Sequence, residues 1–140
     1  DGPKVDDKPQ APRDLTGVGT ILVVEDEDAV RDLAVRALTM RGYRVIDACG
    51  GEEALEMMEE HKDKIDLVIS DVVMPGMDGP ALVKELRKTY PKMPVIFMSG
   101  YAEAAFRNAG DDKPEDFHFI GKPFTLKSLT AKVKEVFEKE

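Results

Sequence analysis

The sequence predicts an α/β domain in which helices cover both faces of a doubly wound parallel sheet. Three observations predict it. Five short apolar runs, most of them rich in β-branched residues, recur along the chain, and each suits a strand buried on both faces. Segments with apolar residues at helical spacing alternate with these runs, and glycine, proline and aspartate mark the joins. Polar residues stand at the ends of the runs, where a parallel sheet gathers them along one edge.

Residues 1–19 hold Pro3, Pro9 and Pro12, several charges and almost no large apolar side chains, the composition of a flexible linker or tail. Gly17-Val18-Gly19 precedes the first strand, whereas a phosphate-cradling loop follows one. The folded domain is expected over residues 20–140. Ile21-Leu22-Val23-Val24 reads as the first strand, beginning at Thr20 and ending in Glu25-Asp26-Glu27-Asp28. The first helix follows, with Asp28 as N-cap, Ala29, Val30, Leu33, Ala34, Ala37 and Leu38 inward, and Gly42 closing it. Tyr43 to Ala48 reads as the second strand, and Gly50-Gly51 opens a helix carrying Ala54, Leu55 and Met58. Leu67 to Ser70 is the third strand, with Asp71 at its tip and Pro75-Gly76 turning the chain away.

Asp78-Gly79-Pro80 starts the third helix, with Ala81, Leu82 and Leu86 on its inner face. Pro94 to Met98 is the fourth strand and ends in Ser99-Gly100. Residues 102–109 form a short helix candidate, and residues 110–116 a polar loop expected to be the most mobile part of the domain. Phe117 to Ile120 is the fifth strand, followed by Gly121-Lys122-Pro123. Thr125 caps the last helix, with Leu126, Leu129, Val133, Val136 and Phe137 inward. Right-handed crossovers then place helices on both faces, with the site outside the carboxyl ends of the strands where the strand order reverses.

Composition narrows the function. At 140 residues the chain is one domain plus a tail, long enough to bury a core without staples. A net charge of −8 argues against direct nucleic-acid binding, which needs clustered Lys and Arg. The lone Cys49 excludes an internal disulfide and fits a reducing, cytoplasmic setting. Two histidines and one cysteine are too few for a zinc site. No run reaches the length of a membrane span, so no direct membrane contact is expected of this domain. Cys49 is expected to be a half-buried strand end, His61 to sit at a helix C-terminus and His118 to face outward.

The strand tips deliver Glu25 and Asp26, Asp71, Ser99 and Lys122 to one edge of the sheet. Each has an ordinary reading taken alone: a helix cap, a turn residue or a surface lysine. Together they point to one reaction. Clustered carboxylates repel unless a cation intervenes. A site of hard oxygen donors suits Mg²⁺, which takes few carboxylates directly and accepts phosphate oxygens as well. A carboxylate beside Mg²⁺ can attack phosphorus and form an acyl phosphate. Lys122 and Ser99 supply the charge and hydroxyl that the phosphoryl oxygens need.

Val-Val-Glu-Asp-Glu-Asp, then Asp71-Val-Val-Met-Pro-Gly-Met-Asp-Gly, then Met-Ser-Gly and Gly-Lys-Pro-Phe, resemble the signature blocks of response-regulator receiver domains of the chemotaxis type, in order, from Thr20 to the C-terminus. The resemblance implies a flavodoxin-like (β/α)5 fold with strand order 2-1-3-4-5. It implies that Asp71 is the phosphoacceptor. Mg²⁺ would be bound by Asp26 and Asp71, by Glu25 through water, and by the backbone carbonyl of Val73. Ser99 and Lys122 would hold the phosphoryl group, and the bond between Lys122 and Pro123 would be cis. Phe119 stands at the family's aromatic switch, without the hydroxyl of the frequent Tyr. Ser99 stands where Thr is frequent, and Glu25 where Asp is frequent; both keep the chemistry.

Phe-Met-Ser-Gly-Tyr-Ala-Glu and Phe-His-Phe-Ile-Gly-Lys-Pro-Phe further resemble the C-terminal receivers of hybrid histidine kinases, including the cell-cycle kinases of alphaproteobacteria. That implies phosphate exchange with a histidine kinase domain, a histidine phosphotransfer protein, or both, within a phosphorelay. The Pro-rich start without Met is expected to follow a further domain upstream, and nothing after the last helix suggests one downstream. A free-standing single-domain regulator is the alternative. An aspartyl-phosphate phosphatase would want a second acid where Val73 stands. A flavin-binding flavodoxin-like module would want a Gly/Ser/Thr loop where four consecutive acids stand, and the full acidic set argues against a scaffold that has lost phosphorylation.

Overall fold

In the computed structural model, residues 18–98, 118–121 and 123–139 are described. The described strands are β1 (Thr20–Val24), β2 (Arg44–Ala48), β3 (Leu67–Asp71), β4 (Val95–Met98) and β5 (His118–Ile120). The described helices are α1 (Asp28–Met40), α2 (Gly51–Glu60), α3 (Gly79–Thr89) and α4 (Leu126–Lys139). The strands form one sheet in the order β2-β1-β3-β4-β5, and every pairing is parallel. This is the expected order. The helix candidate at 102–109 and the loop at 110–116 lie outside the described residues.

The apolar runs are continuous because alternate side chains enter two different cores. Leu22, Val24, Val68, Val95 and Phe97 pack on one face with Ala54 and Met58 of α2 and Leu82, Val83 and Leu86 of α3. Ile21, Val23, Leu67, Ile69, Ile96 and Met98 pack on the other with Ala34, Ala37 and Leu38 of α1 and Leu129, Val133, Val136 and Phe137 of α4. Buried apolar area on both faces is the main stabilising term, at roughly 25 cal/mol per Å² removed from water.

Several helix details differ from expectation. The α1 N-cap is Glu27, with no side-chain cap bond, while Asp28 opens the helix and pairs with Arg31. Ala29 is exposed and Leu33 is 38% exposed, because the face of α1 that meets the sheet runs through Val30, Ala34, Ala37 and Leu38. Ala81 is exposed and Val83 takes the expected inward place, while Leu126 is exposed at the start of α4. Tyr43 lies just before β2, buried against Phe137 with ring centroids 5.6 Å apart. Gly42 closes α1 with φ of 100°, a conformation that Gly adopts without a Cβ penalty.

Other expectations hold in atomic detail. Asp78 caps α3, its Oδ1 accepting from the Ala81 amide at 2.9 Å, with Pro80 in the first turn. Thr125 caps α4: its Oγ1 accepts from the Ser128 amide at 2.9 Å, and Ser128 Oγ accepts from the Thr125 amide at 2.9 Å. No helix among the described residues is long and apolar enough to cross a membrane.

Candidate functional site

The sheet order makes β1 and β3 neighbours at the point where the chain switches direction, and their register pairs Val24 with Ser70. The next residue on each strand is an acid. Glu25 and Asp71 therefore leave the sheet side by side, and Asp26 follows Glu25. Oxygens of the Glu25, Asp26 and Asp71 carboxylates all lie within 4.8 Å of one another. Glu25 is fully buried, Asp71 is 7% exposed and Asp26 is exposed, so the cluster has one open side. Three carboxylates this close repel strongly unless a cation joins them, and their hard oxygens fit a divalent metal.

Local structure holds these acids in place. The Glu25 amide donates to the Ala48 carbonyl at 3.1 Å, and its carbonyl accepts from Arg31 Nη1 at 2.8 Å. Its carboxylate accepts from the Glu27 amide at 3.1 Å. The Asp71 carbonyl accepts from the Ser70 hydroxyl at 2.8 Å. Beyond Asp71, the Val72 amide donates to the Met98 carbonyl and the Gly79 amide to the Val72 carbonyl, at 3.3 and 2.8 Å. A Cβ on Gly79 would collide with the Asp71 carbonyl oxygen and lie 2.9 Å from Phe97 Cε1. Only glycine lets α3 start so close to the Asp71 backbone.

Asp71 lies level with Met98 on β4, and Ser99 is the next residue of that chain segment. Ser99, Lys122 and the Lys122–Pro123 bond lie outside the described residues. The Val73 side chain is 72% exposed beside Asp71. Phe119 is half-buried and stacks on the buried Phe97, with centroids 6.1 Å apart and planes at 29°. Cys49 is exposed rather than half-buried, because β2 is an edge strand and its end meets solvent. Sequence reasoning missed Arg31 and Gly79. A basic residue just after four consecutive acids was the available signal for the first, and the Asp-Gly-Pro turn for the second.

Residues 21–134 match the response regulator receiver domain. The chain belongs to the response regulator receiver family. This receiver is 58% identical over 128 residues to the sensor kinase CckA of Brucella abortus, covering 91% of the present chain and 13% of the kinase. It is 33% identical over 116 residues to the response regulator receiver protein CpdR of the same organism, covering 83% of the present chain and 94% of CpdR. The receiver domain of the hybrid histidine kinase CckA is a solved structure with TM-score 0.72 and 46% identity, over 85% of this chain and 99% of that one. CheY4 of Vibrio cholerae has a TM-score of 0.73 at 26% identity, over 85% of this chain and 98% of that one. The chain thus spans 13% of the length of the sensor kinase, and 46% of a probable transcriptional regulator of Cyanidium caldarium that it also matches. As a receiver, the domain is a phosphoacceptor module of two-component signalling.

Proposed function

We propose that Asp71 is the residue that takes the phosphoryl group, from a phosphohistidine, with Mg²⁺ held by the neighbouring acids. The observation that carries this reading is the approach of the Glu25, Asp26 and Asp71 carboxylates to within 4.8 Å at the β1 and β3 tips. A carboxylate oxygen of Asp71 attacks phosphorus, the bond from phosphorus to the histidine nitrogen breaks, and its electron pair returns to the imidazole. Asp26 and Asp71 would ligate the metal directly, Glu25 through water, and Val73 through its carbonyl. When bound, Mg²⁺ neutralises charge on the phosphoryl oxygens. Ser99 and Lys122 would supply further donors to those oxygens.

Burial of Asp71 beside the fully buried Glu25 restricts approach to the side where Asp26 is exposed. In the proposed relay that side meets the donor histidine. The exposed Leu33 of α1 offers apolar contact to a histidine kinase domain or phosphotransfer protein docking there. The identity with sensor kinase CckA and with the receiver of the hybrid histidine kinase CckA supports an origin within a hybrid histidine kinase, and the receiver would then work on its cytoplasmic side. A free-standing single-domain regulator is the second reading, supported by coverage of 94% of CpdR. Neither reading requires nucleic acid as a direct partner, in keeping with the net charge of −8.

Intact mass after incubation with Mg²⁺ and acetyl phosphate tests the chemistry. One base-labile phosphoryl adduct is expected, lost in Asp71→Asn and lost when the metal is chelated. An adduct that persists in Asp71→Asn refutes the assignment, and steady turnover of many phosphoesters favours a phosphatase instead.

A further inference from the structure

The Glu25–Asp26 peptide is the direct link between two of the clustered acids, and its carbonyl accepts from Arg31 Nη1 at 2.8 Å. The same guanidinium donates through Nη2 to Asp28 Oδ1 at 2.6 Å, and its Nε lies 3.4 Å from Asp47 Oδ2. One side chain, exposed over 16% of its surface, therefore joins the end of β1, the first turn of α1 and β2. A planar fork can make these contacts together, whereas an ammonium is a compact point donor.

Asp28 and Asp47 attract the guanidinium, but two features of the site work against a cation. Arg31 lies one turn inside the N-terminus of α1, where the helix dipole disfavours positive charge. It also brings positive charge toward a cluster suited to a cation. What the residue contributes is geometry. A peptide unit is planar, so a bond to the Glu25 carbonyl also orients the Asp26 amide. Together with the Glu25 amide bonded to Ala48, it sets the direction in which both acid side chains leave the backbone.

We propose that Arg31 is a positioning residue for the acidic cluster, fixing the Glu25–Asp26 peptide plane so that both carboxylates meet Asp71 in the arrangement that binds a divalent cation. The inference rests on the metal-site reading above. Residues that orient metal ligands from behind typically change metal affinity by 10- to 100-fold when removed.

The test is calorimetric titration of MgCl₂ into the 140-residue chain and its variants, with thermal melts to confirm folding. Arg31→Gln is expected to bind Mg²⁺ about 10-fold more weakly, with Arg31→Lys intermediate because it restores one donor to the Glu25 carbonyl. The sign discriminates: loss of a nearby positive charge would by itself tighten cation binding. Gln at or above wild-type affinity, or Lys at or below Gln, overturns the proposal. Should Arg31→Gln fail to fold, Arg31→Met keeps the stem's packing and carries the same expectation and the same refutation. A wild-type chain that takes up no Mg²⁺ refutes the metal reading itself; a wild-type that binds beside an unaffected Arg31→Gln refutes only the positioning role.

Discussion

At the end of β2, the Glu53 carboxylate accepts a hydrogen bond from the Cys49 amide at 2.7 Å. That bond, and then the one from the Cys49 thiol, lower the Glu53 pKa below its ordinary 4.5. The same pairing raises the Cys49 thiol, chiefly through its hydrogen bond to Glu53. A folded-state value below the unfolded one gives stability that is present above the unfolded pKa and lost as pH falls through the folded one. Glu53→Gln is therefore expected to melt below the parent near neutral pH, with the gap closing as pH falls below 4.5. At pH about 8, near the ordinary thiol range, the variant's Cys49 should alkylate faster, since thiolate is the reactive form. An unchanged alkylation rate would sink the pairing. Residues like these show where sequence reading stops. Asp71, Glu25 and Asp26 were legible because acids at the ends of apolar strands stand out. Arg31 was harder to read: the basic residue after four acids hinted at an ion pair, but its bond to the backbone carbonyl of Glu25 carries no sequence signature.

Among elements, α3 shows how a short sequence signal sets both a helix and a site. Asp78 caps it and Pro80 preorganises its first turn. Asp78→Ala should remove about 1 kcal/mol of stability, which lowers the melting temperature by roughly 3 °C in a domain of this size. A melting temperature equal to the parent's would show the cap to be idle. Strand positions were readable to within a residue, since each run fills both cores: Leu67 to Ile69 alternate faces and have no polar interruption. The inward faces of helices were harder. In α1 apolar residues occupy so wide an arc that Ala29 and Leu33 looked as buried as Ala34 and Ala37. The choice between them depends on how the helix sits on the sheet, which periodicity alone does not give.

Across the molecule, the sheet separates two apolar cores among the described residues, and the acidic cluster stands at the β1 and β3 tips, where the strand order reverses. A phosphoryl group on Asp71, as proposed, would bring roughly two negative charges to that point. We propose that Ser99 and Lys122 would then move toward it and Phe119 would turn further inward, reshaping the surface beside β5 and α4. Amide shift mapping with a phosphoryl mimic and Mg²⁺ should then show changes at Phe97 and Phe119, whose rings stack, and at the start of α4. Changes confined to the loop after Asp71 would sink the switch. The overall topology followed from alternation alone, whereas strand order came from the resemblance, because order is a property of long-range pairing. One contact has a mechanical meaning beyond the chemistry. The gap between Gly79 and the Asp71 carbonyl admits a hydrogen atom and nothing larger. Helix and strand tip thus abut like two gear teeth without backlash, and a displacement of the Asp71 backbone toward α3 is expected to drive directly into the helix.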